Sequence, residues 1–197
     1  MRSILQRACA LLGLWAIAGA GAAAGTNTEP LERALRWLEA QQDPADGAWH
    51  GDEPVATMLQ TTAALSALQA AGRRSGAWYA GQAWLANHAA TNTDTRARRL
   101  RALRVGAANV QDEVDSLLRA RNGSGWGLAS RYQRDPLDTA LALAALWQAG
   151  STLDVRDTVA WLRGLLTDDA LWPTGTGGTT PATTAVLLEA LAPTGAR

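Results

Sequence analysis

Phenylalanine and lysine are missing from this 197-residue chain, and cysteine occurs once. Without phenylalanine, the large apolar positions fall to nine tryptophans, and every buried indole N–H then needs an acceptor. The lone cysteine, Cys9, sits near the N-terminus. Past it, the chain has no disulfide, no thiolate metal ligand and no cysteine nucleophile. Net charge of one sign is also missing: 18 arginines balance 18 acids, which argues against a nucleic-acid surface. No stretch alternates apolar and polar residues as a half-buried strand does. A hydrophobic content of 47% excludes general disorder.

The N-terminal residues have the form of a secretory signal. Arg2 and Arg7 supply positive charge, an uncharged apolar run follows from Cys9 to Ala18, and Ala22-Ala23-Ala24 is an A-x-A-like cleavage site. The apolar run is short for a transmembrane span. Residues 1–24 are therefore expected to be a signal peptide, and the mature protein to be secreted or periplasmic, without a transmembrane segment.

What remains, residues 25–197, reads as helices in about four hairpins. Thr28-Glu29-Pro30 opens the first helix and Asp43-Pro44 closes it; Asp52-Glu53-Pro54 opens the second, which ends at Gly72. Further helices are predicted over 78–89, 95–105, 110–121, 136–149, 153–166 and 181–191. The second helices repeat one pattern. Thr61, Ala64, Leu65, Ala67, Leu68 and Gly72 have the spacing of Thr139, Ala142, Leu143, Ala145, Leu146 and Gly150, and of Thr184, Leu187, Leu188, Ala190, Leu191 and Gly195. Leucines flanked by alanines make a stripe that lets neighbouring helices approach closely. The first helices share an aromatic-leucine pair at Trp37-Leu38, Trp84-Leu85 and Trp161-Leu162, with Leu117-Leu118 in the third hairpin. A tryptophan stands in the turn at Trp49, Trp126 and Trp172, and the second hairpin has none. Such a repeat is one supersecondary unit stacked on its neighbours.

Trp37-Leu38, Gln42 and Gly47-Ala48-Trp49 complete a motif that resembles the squalene cyclase and prenyltransferase repeat family. The other hairpins fit in part, with Ala89, Asn122 and Leu166 where the first has Gln42. The resemblance implies helical hairpins forming an α/α toroid or an open partial toroid. It also implies that Trp37, Gln42, Gly47, Trp49, Trp126, Trp161 and Trp172 are structural repeat residues, with the amide satisfying a helix end and the indole packing at the turn. Closed rings of that family hold more hairpins than the roughly four here. The implied alternatives are an open arc, a short member closing by self-association, or the front part of a longer protein. An apolar repeat edge on the last hairpin would then meet a partner.

The family also suggests a chemistry. Squalene-type cyclases protonate a polyprene with an Asp-x-Asp-Asp-Thr-Ala segment whose middle carboxylate is the acid. Here the segment is Asp135-Pro136-Leu137-Asp138-Thr139-Ala140, so Leu137 stands where the acid is needed. Asp135 and Asp138 are the candidate catalytic residues if any activity survives. The simpler reading makes Asp135 an N-cap and Asp138 an acid in the first helical turn, meeting the positive helix end.

The remaining candidates are weaker. The zinc set implied for the prenyltransferase relatives needs a cysteine, so neither metal nor cofactor is expected. His50 and His88 read as solvated side chains. Arg96, Arg98, Arg99, Arg101 and Arg104 form a basic stretch that could meet phosphate or lipid head groups, but a solvated outer face accounts for it more simply. Gly175-Thr176-Gly177-Gly178 lacks the preceding strand and the lysine of a phosphate loop. The expectation is a non-catalytic repeat module that binds a partner protein or an apolar or polyprenyl ligand, with Trp49, Trp126 and Trp172 as candidate ligand-binding residues. The alternatives are a terpenoid cyclase or prenyltransferase-like enzyme acting on a polyprenyl substrate, and a lyase or carbohydrate-binding toroid whose turn tryptophans stack on sugar rings.

Overall fold

The structure is a computed structural model that describes residues 28–106, 110–174 and 177–194. The expected signal peptide, residues 1–24, lies outside the described residues. The chain divides into two compact units, residues up to Ala34 and from Leu35 onward. What is described of the first is the start of α1 (Glu29–Ala40), where the Glu32 N–H reaches the Thr28 carbonyl and Arg33 pairs with Glu29.

The described chain is all-α. After α1 come α2 (Pro54–Ala70), α3 (Gly76–Asn87), α4 (Thr93–Val105), α5 (Gln111–Ala120), α6 (Pro136–Gln148), α7 (Arg156–Gly164) and α8 (Pro181–Leu191). A 3-10 turn, Ala192–Thr194, follows α8. Among the described residues there is no strand beyond isolated bridges, and no helix is long and apolar enough to cross a membrane.

Local chemistry sets the helix starts. Pro54, Pro136 and Pro181 each occupy the first turn, where a missing N–H costs nothing. Ser75 accepts from the Trp78 N–H, Thr180 from that of Thr183, and Asp135 from those of Leu137 and Asp138. Asn92 and Thr95 form a reciprocal capping box that starts α4 two residues earlier than the periodicity predicts. α7 is shorter than the predicted 153–166, because the Asp154 carboxylate takes the Arg156 N–H and starts the helix there.

Packing follows the repeat. The second helices stack in succession, α2 on α4, α4 on α6 and α6 on α8, while α3 packs on α2 and α4, and α5 on α4 and α6. The core has two clusters. One gathers Trp49, Met58, Leu65, Leu68, Trp78, Leu85 and Leu103 around α2 and α3. The other is larger and gathers Leu100, Leu117, Trp126, Leu143, Leu146, Leu162, Trp172 and Leu187 around α6. The small residues Ala140, Ala142 and Ala145 are fully buried on α6, which lets flanking helices close on it.

The basic stretch lies on α4, which packs against α2, α3, α5 and α6; Arg104 is exposed, and Arg96, Arg98, Arg99 and Arg101 are half-buried. Arg98 pairs with Asp94, Arg99 with Glu113, and Arg101 with Glu189 and Gln148.

Candidate functional site

The turn tryptophans define one recurring joint. The indole N–H of Trp49 donates to the Leu38 carbonyl, that of Trp126 to Leu117 and that of Trp172 to Leu162, each at 2.7 Å. Each tryptophan thus donates to a carbonyl at the end of the preceding helix; those of Leu38 and Leu162 also accept a backbone N–H at 3.2 Å, from Gln41 and Leu165. The backbone N–H of the same residue meets a threonine hydroxyl on the second helix: Thr61 at 3.1 Å, Thr139 at 2.9 Å and Thr184 at 3.3 Å. The aromatic plug is therefore bonded to both helices of its hairpin.

Gln42 extends the joint to the next hairpin. Its amide nitrogen donates to the Gly47 carbonyl at 2.7 Å and to the Ala77 carbonyl of α3 at 2.8 Å. Gly47 has φ +84°, and a Cβ there would lie 2.9 Å from the backbone of Ala80, so conformation and contact both require glycine. At the corresponding position, Asn122 reaches only the Tyr132 carbonyl, within its own hairpin.

The second hairpin has no turn tryptophan, and Arg99 takes its place. Its Nε donates to the Leu85 carbonyl at 2.8 Å, and its guanidinium also bonds the Ala86 carbonyl and the Glu113 carboxylate. Sequence reasoning missed this role, because Arg99 lies on the helix after the turn and not in the turn. The missing turn tryptophan of the second hairpin was the available signal.

The expectation that Trp49, Trp126 and Trp172 bind ligand meets a physical obstacle. All three are buried, Trp126 completely, and their N–H groups are engaged. They join helices and present no common aromatic face. Trp37 is exposed at 64% of its surface, alongside the tyrosines Tyr79 and Tyr132, although its sequence position suggested only a repeat role. Trp161 is half-buried, with the Arg134 guanidinium 4.9 Å from its ring centroid.

Trp37 borders a groove of about 520 Å³ at the first hairpin. Leu38 on α1 and Gln41 just past its end continue its wall, Gln60, Ala63 and Ala67 form the α2 side, and Trp49 and His50 close the turn end. The alanines that allow close approach inside the array are exposed here at Ala63 and Ala67.

Asp135 and Asp138 have parted roles. Asp135 is a working cap, and its own N–H donates to the Trp126 carbonyl at 2.8 Å. Thr139 brackets the same residue, accepting from the Trp126 N–H and donating to its carbonyl at 3.1 Å. The Asp–Thr segment thus anchors a turn tryptophan. Asp138 caps nothing. Burial first, and then the charges of Asp135 and Asp94, push its carboxyl up to about 6, against the lowering expected from a helix start. Leu137 is half-buried and packs on the α6 cluster.

The histidines are less free than their sequence surroundings suggest. His88 stacks on Trp84 with centroids 4.1 Å apart, and its Nδ1 lies 2.8 Å from the Trp84 carbonyl oxygen. His50 Nε2 lies 3.2 Å from Asp46 Oδ2 and 3.6 Å from Asp43 Oδ2. These three side chains, Asp43 half-buried and the other two exposed, are the one group among the described residues with the proximity to hold a metal ion. Each carboxylate already has a protein partner, Asp43 the Ala45 N–H and Asp46 the Ala48 N–H.

No protein-family model matches this chain, and no curated protein matches it.

Proposed function

We propose that this chain is a secreted or periplasmic, non-catalytic α/α repeat module, of the squalene cyclase and prenyltransferase type, that binds an apolar ligand in the groove at its first hairpin. The observation that carries the proposal is Trp37, a large apolar side chain left 64% exposed beside a cavity of about 520 Å³. That volume lies within the range of roughly 300–1,000 Å³ of small-molecule sites. Leu38 and the α2 alanines supply apolar wall, while Gln41, Gln60 and His50 supply a few polar groups for orientation. The edge of a partner protein is the other occupant such a surface fits.

The test is native mass spectrometry of the chain with squalene and a linear polyprenol, followed by chemical analysis of the extracted ligand. Unchanged ligand, retained by the wild type and lost in Trp37→Ala, supports the proposal. A cyclised product overturns it.

One observation favours a second reading, a terpenoid cyclase-like enzyme. Burial and the charges of Asp135 and Asp94 push the Asp138 carboxyl up to about 6, so it keeps a proton to a higher pH than an ordinary carboxyl does. Against it, alkene protonation needs a very strong acid, and a raised pKa makes Asp138 a weaker one. Full turnover of any cyclisation in Asp138→Asn would remove the case for that carboxyl.

A further inference from the structure

A second cavity, of about 430 Å³, opens where the start of α4, the end of α5 and the loop after Trp126 meet. Its lining is chemically one-sided. Arg96 and Arg119 supply two guanidinium groups, and Asn92, Ser116 and Ser130 supply an amide and two hydroxyls. No acidic side chain lines it. Of the carboxylates on the same helices, Asp94 takes Arg98, Glu113 takes Arg99 and Asp115 takes the Gln111 amide, while Asp112 is exposed at the start of α5, outside the lining.

The two cations differ from their neighbours. Arg98, Arg99 and Arg101 on α4 all have carboxylate partners, whereas the Arg96 and Arg119 side chains pair with no described residue. Ser116 and Ser130 hydroxyls have no described partner either, and the Asn92 carboxamide oxygen is held by the Thr95 N–H, which leaves its nitrogen free to donate. Two arginine side chains with free donors and no counter-charge favour a planar or tetrahedral oxyanion, which accepts several N–H bonds at once.

We propose that this cavity binds a phosphoryl group through Arg96 and Arg119, with Ser116, Ser130 and the Asn92 amide as supporting donors. The site is separate from the Trp37 groove and does not depend on what that groove binds. The phosphoryl group can come from a soluble phosphorylated molecule or from a lipid head group.

The test is calorimetric titration of the full chain with inorganic phosphate at constant ionic strength, beside co-sedimentation with phosphatidylcholine vesicles with and without phosphatidic acid. Saturable phosphate binding is expected, weakened about tenfold or more by Arg96→Gln and by Arg119→Gln. Arg104→Gln removes an exposed cation of α4 outside the cavity, and Trp37→Ala alters the other groove; both should bind as the wild type does. Binding that appears only with phosphatidic acid vesicles, and is lost in the same two variants, assigns the group to a lipid head. The proposal is overturned if neither probe binds, or if Arg104→Gln weakens binding as much as Arg96→Gln, since that is the response of diffuse charge. Arg96→Lys keeps the charge without the fork and should fall between wild type and Arg96→Gln.

Discussion

The first and third hairpins use the same joint in different surroundings. In both, a turn tryptophan donates its indole N–H to a leucine carbonyl at 2.7 Å and its backbone N–H to a threonine hydroxyl. The third hairpin has packed helices on both sides of α6, and Trp126 is wholly buried. Among the described residues, α2 of the first hairpin packs on α3 and α4, and the Trp37 groove opens between α2, the turn and the end of α1. A repeat thus specifies how a hairpin closes, but its surroundings decide which face is core and which lines a groove.

The comparison can be broken most strongly at the plugs. Trp126→Ala should cost about 4 kcal/mol, because it empties a closed core site and orphans the Leu117 carbonyl. Trp49→Ala should cost less, about 3 kcal/mol, since its site borders an open groove into which neighbours can relax. Urea unfolding of both variants checks the order; equal losses would mean that the groove has no bearing on the joint. Thr139→Val removes one donor and one acceptor around Trp126 and should cost about 2 kcal/mol by the same measurement. Gln42→Ala should cost about 1–2 kcal/mol, because it leaves the Gly47 and Ala77 carbonyls without their donor. Asn122→Ala, at the corresponding position, should cost less, since Asn122 bonds a single carbonyl of its own hairpin.

A pH series sharpens the third hairpin further. The Asp138 carboxyl is raised in the folded chain to about 6 from 3.8, so the native state binds the extra proton between those values. Its contribution to stability is therefore most favourable below the unfolded value and is lost as pH rises through about 6. Asp138→Asn should flatten that part of the profile and stabilise the protein at pH 8 by an amount of order 2 kcal/mol. Chemical unfolding from pH 4 to pH 8 reads it. The smallest effect belongs to Trp37→Ala, expected within about 0.5 kcal/mol of the wild type, because an exposed side chain contributes little to folding.

The helices were legible because apolar spacing, proline starts and capping residues all act within a few positions of the chain. The joint was half legible. Trp49, Trp126 and Trp172 stood out by composition, and their need for an acceptor followed from the indole N–H. Their burial did not follow, because a turn residue is exposed or covered according to what packs over it. The role of Arg99 was hidden for the same reason: a guanidinium replaces an indole only once α4 lies against the end of α3. Asp138 misled in the opposite direction. Its place in a first helical turn favours the charged form, but burial and two neighbouring acids outweigh that local effect.

The sequence by itself determined an all-α chain, the hairpin repeat and the residues that start and end its helices, since these depend on local periodicity and backbone hydrogen bonding. The tertiary structure alone decided which tryptophan is exposed, which arginines have carboxylate partners and which carboxyl has its pKa raised. Exposure, pairing and desolvation are set by neighbours tens of residues away, as Gln42 on Ala77 and Arg101 on Glu189 illustrate.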